Sequence, residues 1–199
     1  MTNQTANQPN SPHLRLIVTR HAKSSWSDLT LSDHARPLKG RGKRAASELG
    51  QWLVAHGHLP DAVLSSDSQR TRETWQLAAD AMSVAPEPIW LPDLYLASPN
   101  DLLSIVQQAS GRSRTLMVIA HNPGIGEFAN RLLTKALDEE DFERFPTAAA
   151  LVAEFPITHW NELEFGTGSA LAFFTPSERG GNQIADSQSS SNTDGASEQ

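Results

Sequence analysis

The chain has 199 residues, the length of one domain at the usual ~100–200 residues per domain, and can bury a core without covalent staples. It contains no cysteine, which excludes disulfides, thiol nucleophiles and cysteine-ligated zinc and is compatible with a reducing, cytoplasmic setting. The net charge of −7 is uneven: residues 1–75 hold ten Lys/Arg against six Asp/Glu, and residues 76–199 hold six against seventeen, so an acidic chain carries a basic portion able to attract an anion.

The opening "MTNQTANQPNSPH" is polar and uncharged, with neither the basic nor the apolar region of a signal peptide. No apolar run approaches the ~18 residues that span a membrane. Residues 1–12 and 177–199 are rich in Ser, Asn, Gln and Gly and are expected to be disordered tails around a folded domain of residues 13–176.

Within that domain, "LRLIVT" (14–19) reads as the first strand and runs directly into Arg20 and His21. A helical pattern over 39–56 places Ala45, Ala46, Leu49 and Leu53 on one face, with Gly57 as its stop. "AVLS" (62–65) is a second strand, followed by "SDSQ" (66–69), where Ser66 and Gln69 have capping-box spacing ahead of a helix carrying Arg70. A third helix begins at "SPND" (98–101), with Ser98 as cap, Pro99 at the first helical position and Gly111 past the end. "TLMVIA" (115–120) has the near-continuous apolar character of a central strand and ends in His121. "NPGI" (122–125) opens a fourth helix with Asn122 as cap and Pro123 next, carrying Phe128, Ala129, Leu132 and Leu133. The last strands, "ALVAEF" (150–155) and "ALAFFT" (170–175), have no long helix between them, so part of the sheet is expected to be antiparallel. Strands alternating with helices predict an α/β fold: a three-layer α/β/α sandwich around a mostly parallel sheet.

In open α/β sheets, ligands bind beyond the carboxyl ends of the strands. That rule brings Arg20, His21, Arg70 and His121 to one edge. Guanidinium groups match phosphate oxygens and stay charged, and helix N-termini after Ser66 and Asn122 add N–H donors. A phosphoryl group is the natural occupant. A metal is disfavoured, because the histidines lack a carboxylate at ligand spacing and adjacent cations oppose a divalent ion. His13, His34, His56, His58 and His159 show no such convergence and read as structural.

"TRHAKSSW" resembles the Arg-His-Gly/Ala signature of the histidine phosphatase (phosphoglycerate mutase-like) superfamily. The resemblance continues through "RPLKGRG" (36–42), "LSSDSQRTRET" (64–74), "LPDLYLA" (91–97), "VIAHNPGI" (118–125) and "FPTAA" (145–149), and is closest to the phosphohistidine phosphatase branch. It implies a phosphoglycerate mutase-like fold, His21 as a nucleophile forming a phosphohistidine intermediate, Arg20 and Arg70 on phosphoryl oxygens, and His121 completing the pocket. It implies no cofactor, no metal, and a phosphorylated protein or small phosphorylated molecule as substrate. Ester-cleaving members also use a carboxylate to protonate the leaving oxygen; Asp93 in "LPDLY" is the candidate, with Glu87 behind it. Ala22 stands where many relatives have Gly, and Ser27 where mutases commonly carry Asn.

Two alternatives accompany this reading. One is a phosphatase or mutase of small esters, although no large insertion is present to cap a small substrate. The other is a non-catalytic anion- or nucleic-acid-binding role for "KGRGKR" (39–44), which lacks interleaved aromatics.

Overall fold

Six strands make a single mixed sheet in the computed structural model, which describes residues 13–109 and 113–177. In chain order the elements are β1 (Leu14–Arg20), α1 (Gly40–Ala55), β2 (Ala62–Ser66), α2 (Gln69–Ala79), β3 (Ile89–Leu91), α3 (Pro99–Gln107), β4 (Thr115–Ala120), α4 (Gly124–Leu132), β5 (Ala150–Phe155) and β6 (Ser169–Phe174). The strand order is β3-β2-β4-β1-β5-β6. β3, β2, β4 and β1 run parallel, while β5 is antiparallel to both β1 and β6.

The layers follow from strand alternation. Leu16 and Val18 of β1, with Leu116 and Val118 of β4, face a core closed by α3 and α4 through Leu102, Val106, Phe128 and Leu132. Ile17, Met117 and Ile119 point the other way, against Leu49 and Leu53 of α1 and Trp75 of α2. With both faces covered, the central strands need apolar side chains at successive positions, as "TLMVIA" has.

The helix starts differ in detail from the sequence reading. Ser98 caps α3 as expected, and Asp101 completes its capping box. At α2 the N-cap is Ser68 rather than Ser66, because β2 extends through Ser66. At α4 the N-cap is Pro123 rather than Asn122, whose side-chain amide is drawn to the carbonyl oxygens of Arg144 and Phe145. β3 was not expected: three residues bounded by Pro88 and Pro92 are too short to show a period. Gly57 adopts a positive φ of 67° after α1, as a stop requires. Gly111 and the tails expected at residues 1–12 and 177–199 lie outside the described residues, except Ser177, whose N–H and hydroxyl donate to Glu48 Oε1. Among the described residues, no helix is long and apolar enough to cross a membrane.

Candidate active site

The carboxyl ends of three parallel strands meet at one edge. β1 continues into His21, β2 ends at Ser66, and β4 continues into His121. Arg70 reaches them from the first turn of α2, so chain order and strand polarity alone bring these groups together.

His21 is buried, at 8% exposure, and its two ring nitrogens face partners of opposite sense. Nδ1 lies 2.7 Å from the backbone oxygen of Ala22, which can only accept, so Nδ1 carries the proton. Arg70 Nε donates to Nε2 at 3.3 Å, so Nε2 presents a lone pair. Burial, assisted by the charges of Arg70 and Arg20, lowers the His21 pKa to about 4. His21 is therefore a neutral imidazole with a defined tautomer and a free electron pair on Nε2.

Arg70 is the hub, at 4% exposure. Besides His21, it donates from Nη1 to the backbone oxygen of Asp33 (2.6 Å), and from Nη2 to Asp33 Oδ2 (3.0 Å) and His121 Nδ1 (3.1 Å). That contact fixes the second tautomer: Nδ1 of His121 accepts, and its Nε2–H donates to Ser66 Oγ at 2.9 Å. The two imidazole centroids are 5.0 Å apart. Burial, then the nearby His21 and Arg70, lowers the His121 pKa to about 2.

Arg20 is half-buried and clamped by the loop before β5. Its Nη1 donates to the backbone oxygen of Phe145 at 3.0 Å, and Ala148 N–H donates to the backbone oxygens of Arg20 and His21. Its Nε is buried with no hydrogen-bond partner among the described residues. Desolvation lowers its pKa.

Three further residues complete the cluster. Asp33, half-exposed in the β1–α1 loop, pairs with Arg70 and accepts from Tyr95 Oη at 2.6 Å. Tyr95, with Arg70 next, holds the Asp33 carboxyl below its ordinary range, while burial raises the Tyr95 phenol. Ser66 receives His121, the role that replaces its expected capping role. Tyr95 lies inside "LPDLYLA" and Asp33 in the unpatterned loop before "RPLKGRG", and nothing in their spacing marks them. Tyr95, the chain's one tyrosine, was the available signal.

Asp93 makes no hydrogen bond to this cluster among the described residues. It is exposed on a single 3-10 turn (Pro92–Leu94) and lines a separate cavity of about 260 Å³ with Ala62, Leu64, Ile105 and Leu116. Ala62 and Leu116 lie at the starts of β2 and β4, while Asp93 itself follows the carboxyl end of β3, whose Leu91 pairs with Ser66. Among the described residues, the carboxylate hydrogen-bonded to the histidine–arginine cluster is that of Asp33.

The sequence matches the histidine phosphatase superfamily (branch 1) over residues 16–94. An uncharacterized protein of Mycobacterium tuberculosis is 33% identical over 162 residues, which cover 79% of this chain and 99% of that protein. The chain belongs to the histidine phosphatase superfamily. An uncharacterized chloroplastic protein of Arabidopsis thaliana is 39% identical over 128 residues, or 59% of this chain, and the match spans only 58% of that relative's length. Solved histidine phosphatase structures share the fold. A protein assigned as the phosphohistidine phosphatase SixA of Nakamurella multipartitia has a TM-score of 0.69 and 24% identity, covering 82% of this chain and 96% of that one. The protein histidine phosphatase SixA complexed with tungstate has a TM-score of 0.63 and 19% identity, covering 82% of this chain and 97% of that one. Phosphoglycerate mutase of Plasmodium falciparum has a TM-score of 0.54 and 18% identity, over 87% of this chain and 98% of that one. At these identities the likeness establishes a phosphoglycerate mutase-like α/β fold.

Proposed function

We propose that this histidine phosphatase hydrolyses phosphohistidine, in a protein or a related phosphoramidate, through a phosphoryl group carried transiently on His21. The observation that carries the reading is the His21 tautomer: Nδ1–H is held by the Ala22 carbonyl, and the Nε2 lone pair is directed toward the Arg70 side of the cluster.

In the first step the Nε2 lone pair forms a bond to phosphorus while the bond from phosphorus to the substrate imidazole nitrogen breaks; the substrate ring, already protonated from solvent on its other nitrogen, takes the bonding pair and leaves as neutral imidazole. In the second, water attacks phosphorus, the bond to Nε2 breaks, and inorganic phosphate leaves with His21 restored. Arg70 Nε–H, which donates to the lone pair in the free enzyme, redirects its hydrogen bond to a phosphoryl oxygen once Nε2 is bonded to phosphorus, and the guanidinium keeps its proton. Arg20, with its unpartnered Nε, and His121 complete the binding of the equatorial oxygens, where negative charge accumulates.

The reading favours phosphoramidates over esters for one reason. Asp33 is held ionised by Tyr95 and Arg70, so it is a poor acid for an alkoxide leaving group, whereas an imidazole is a far better leaving group. Asp93, on the turn that follows the carboxyl end of β3, has no hydrogen bond to the cluster among the described residues, so nothing orients it toward a leaving oxygen.

The test is phosphate release from a phosphohistidine peptide in EDTA, beside a panel of small phosphate esters, with phosphoryl-His21 trapped by mass spectrometry. Turnover with a trapped adduct that is absent from His21→Ala supports the mechanism. Wild-type-like turnover by His21→Ala would sink it, and turnover of esters alone would replace the substrate class.

A further inference from the structure

The β1–α1 connection and the start of α1 break a rule of helix electrostatics. A helix N-terminus carries a partial positive charge and favours acidic residues, yet the first turn of α1 has none. Lys39 is its N-cap, followed by Arg41, Lys43 and Arg44, and no acidic residue occurs between Asp33 and Glu48. All four basic residues are exposed, and none forms an ion pair among the described residues. Like charges next to one another at the wrong end of a dipole disfavour the folded state, and such local violations concentrate at functional surfaces.

Backbone contacts place this cluster beside the nucleophile. Lys39 N–H donates to the backbone oxygen of Lys23, and a Cβ on Gly42 would lie 2.1 Å from that same oxygen, so only glycine permits the approach. Lys23 is two residues after His21, a chain distance of at most ~7 Å. The intervening loop exposes Trp26 at 63% and Leu29 at 84%, with the Arg36 guanidinium 3.5 Å over the Trp26 ring.

We propose that the start of α1, flanked by Trp26 and Leu29, is the surface on which this phosphatase docks an acidic protein that presents phosphohistidine to His21. The inference rests on the function proposed above and names how its substrate is selected. Exposed Trp26 and Leu29 beside unpaired cations suit a protein interface with a complementary charge. A nucleic-acid groove fits less well. The cations occupy little more than one helical turn instead of tracking a backbone, and the rest of the chain is strongly acidic. Anion steering acts on association, so the patch sets the second-order rate constant with the protein and leaves the chemistry at His21 alone.

The experiment compares three probes: free phosphohistidine, and an acidic and a basic carrier protein of similar size, each phosphorylated on histidine. The enzyme is tested as wild type and as the quadruple variant Lys39→Gln, Arg41→Gln, Lys43→Gln, Arg44→Gln. Wild type is expected to favour the acidic carrier, with kcat/KM falling steeply as salt rises. The quadruple variant is expected to lose at least ~10-fold on the acidic carrier, to lose the salt dependence, and to keep wild-type rates on free phosphohistidine. Its midpoint of thermal unfolding is expected to rise by about 2–4 °C, since unfavourable charge has left the helix start. That rise also separates the effect from misfolding. Unchanged kcat/KM and salt dependence on the acidic carrier would overturn the docking surface while leaving the site reading intact. Salt-sensitive binding of single-stranded RNA lost in the variant, with carrier turnover unaffected, would overturn it in favour of nucleic acid. If wild type hydrolyses none of the three probes, the site reading falls and the docking proposal with it.

Discussion

Acid should loosen this fold well above the range where carboxylates titrate, because two histidines are locked neutral in the native site. The perturbation is a shift from pH 7 to pH 5. In the unfolded chain both His21 and His121 titrate near 6.5, whereas native burial lowers them to about 4 and about 2. Between these values the unfolded chain takes up protons that the native chain refuses. Stability is therefore full above pH 6.5 and falls as pH drops through it, the loss for His21 ending near its native value. At pH 5 a group with an unfolded pKa near 6.5 that stays unprotonated in the native state forfeits roughly 2 kcal/mol relative to neutral pH. Both histidines together forfeit about 4 kcal/mol, a large part of the roughly 5–15 kcal/mol that holds a domain together. Urea titrations followed by tryptophan fluorescence at pH 7 and pH 5 measure the loss as a fall in midpoint at constant slope. His21→Asn and His121→Asn should each reduce that fall by roughly half. A wild-type midpoint that does not move, or variants that keep the full pH dependence, would refute the neutral-imidazole assignment on which the mechanism stands.

Other changes follow from the same geometry. Arg70→Lys should lower kcat/KM nearly as far as Arg70→Ala, by about 10²-fold or more, because one ammonium cannot reach His21, His121 and Asp33 together. Steady-state kinetics of both variants decide it, and rescue by lysine would show that charge alone suffices. Tyr95→Phe removes the hydrogen bond that most lowers the Asp33 pKa, so the Asp33 carboxyl should titrate at higher pH; an NMR titration of that carboxyl that does not move would remove Tyr95 from the network. Gly124→Ala should destabilise by about 1–3 kcal/mol, since its Cβ would sit 1.9 Å from the Ala97 carbonyl oxygen at the head of α4. Chemical denaturation measures this directly, and an unchanged midpoint would mean that the Ala97 segment yields.

How much of the site was legible beforehand depended on where each residue lies. Arg20, His21 and His121 follow strands whose apolar runs are unmistakable, and Arg70 follows a strand by four residues in the first turn of a helix. For these, chain order and the parallel arrangement were enough. Asp33 lies in a loop with no period, and its approach to Arg70 spans 37 positions of sequence, so no local pattern marks it. In "LPDLY" the carboxylate is the conspicuous group, yet it is Tyr95, two residues on, that bonds to the cluster through Asp33. The helix caps shifted for a related reason. Ser66 and Asn122 have cap-forming side chains, but a histidine and two loop carbonyls claim them first.

The sequence by itself determined the α/β class, the edge at which ligands gather, and four of the groups that meet there, because strand polarity and chain order are written in residue periodicity. Tertiary structure alone decided which nitrogen of each histidine holds a proton. It also recruited Asp33, Tyr95 and Ser66, and brought the exposed cations of α1 close to His21. Those outcomes depend on contacts between residues far apart in the chain, and a linear pattern does not encode such contacts.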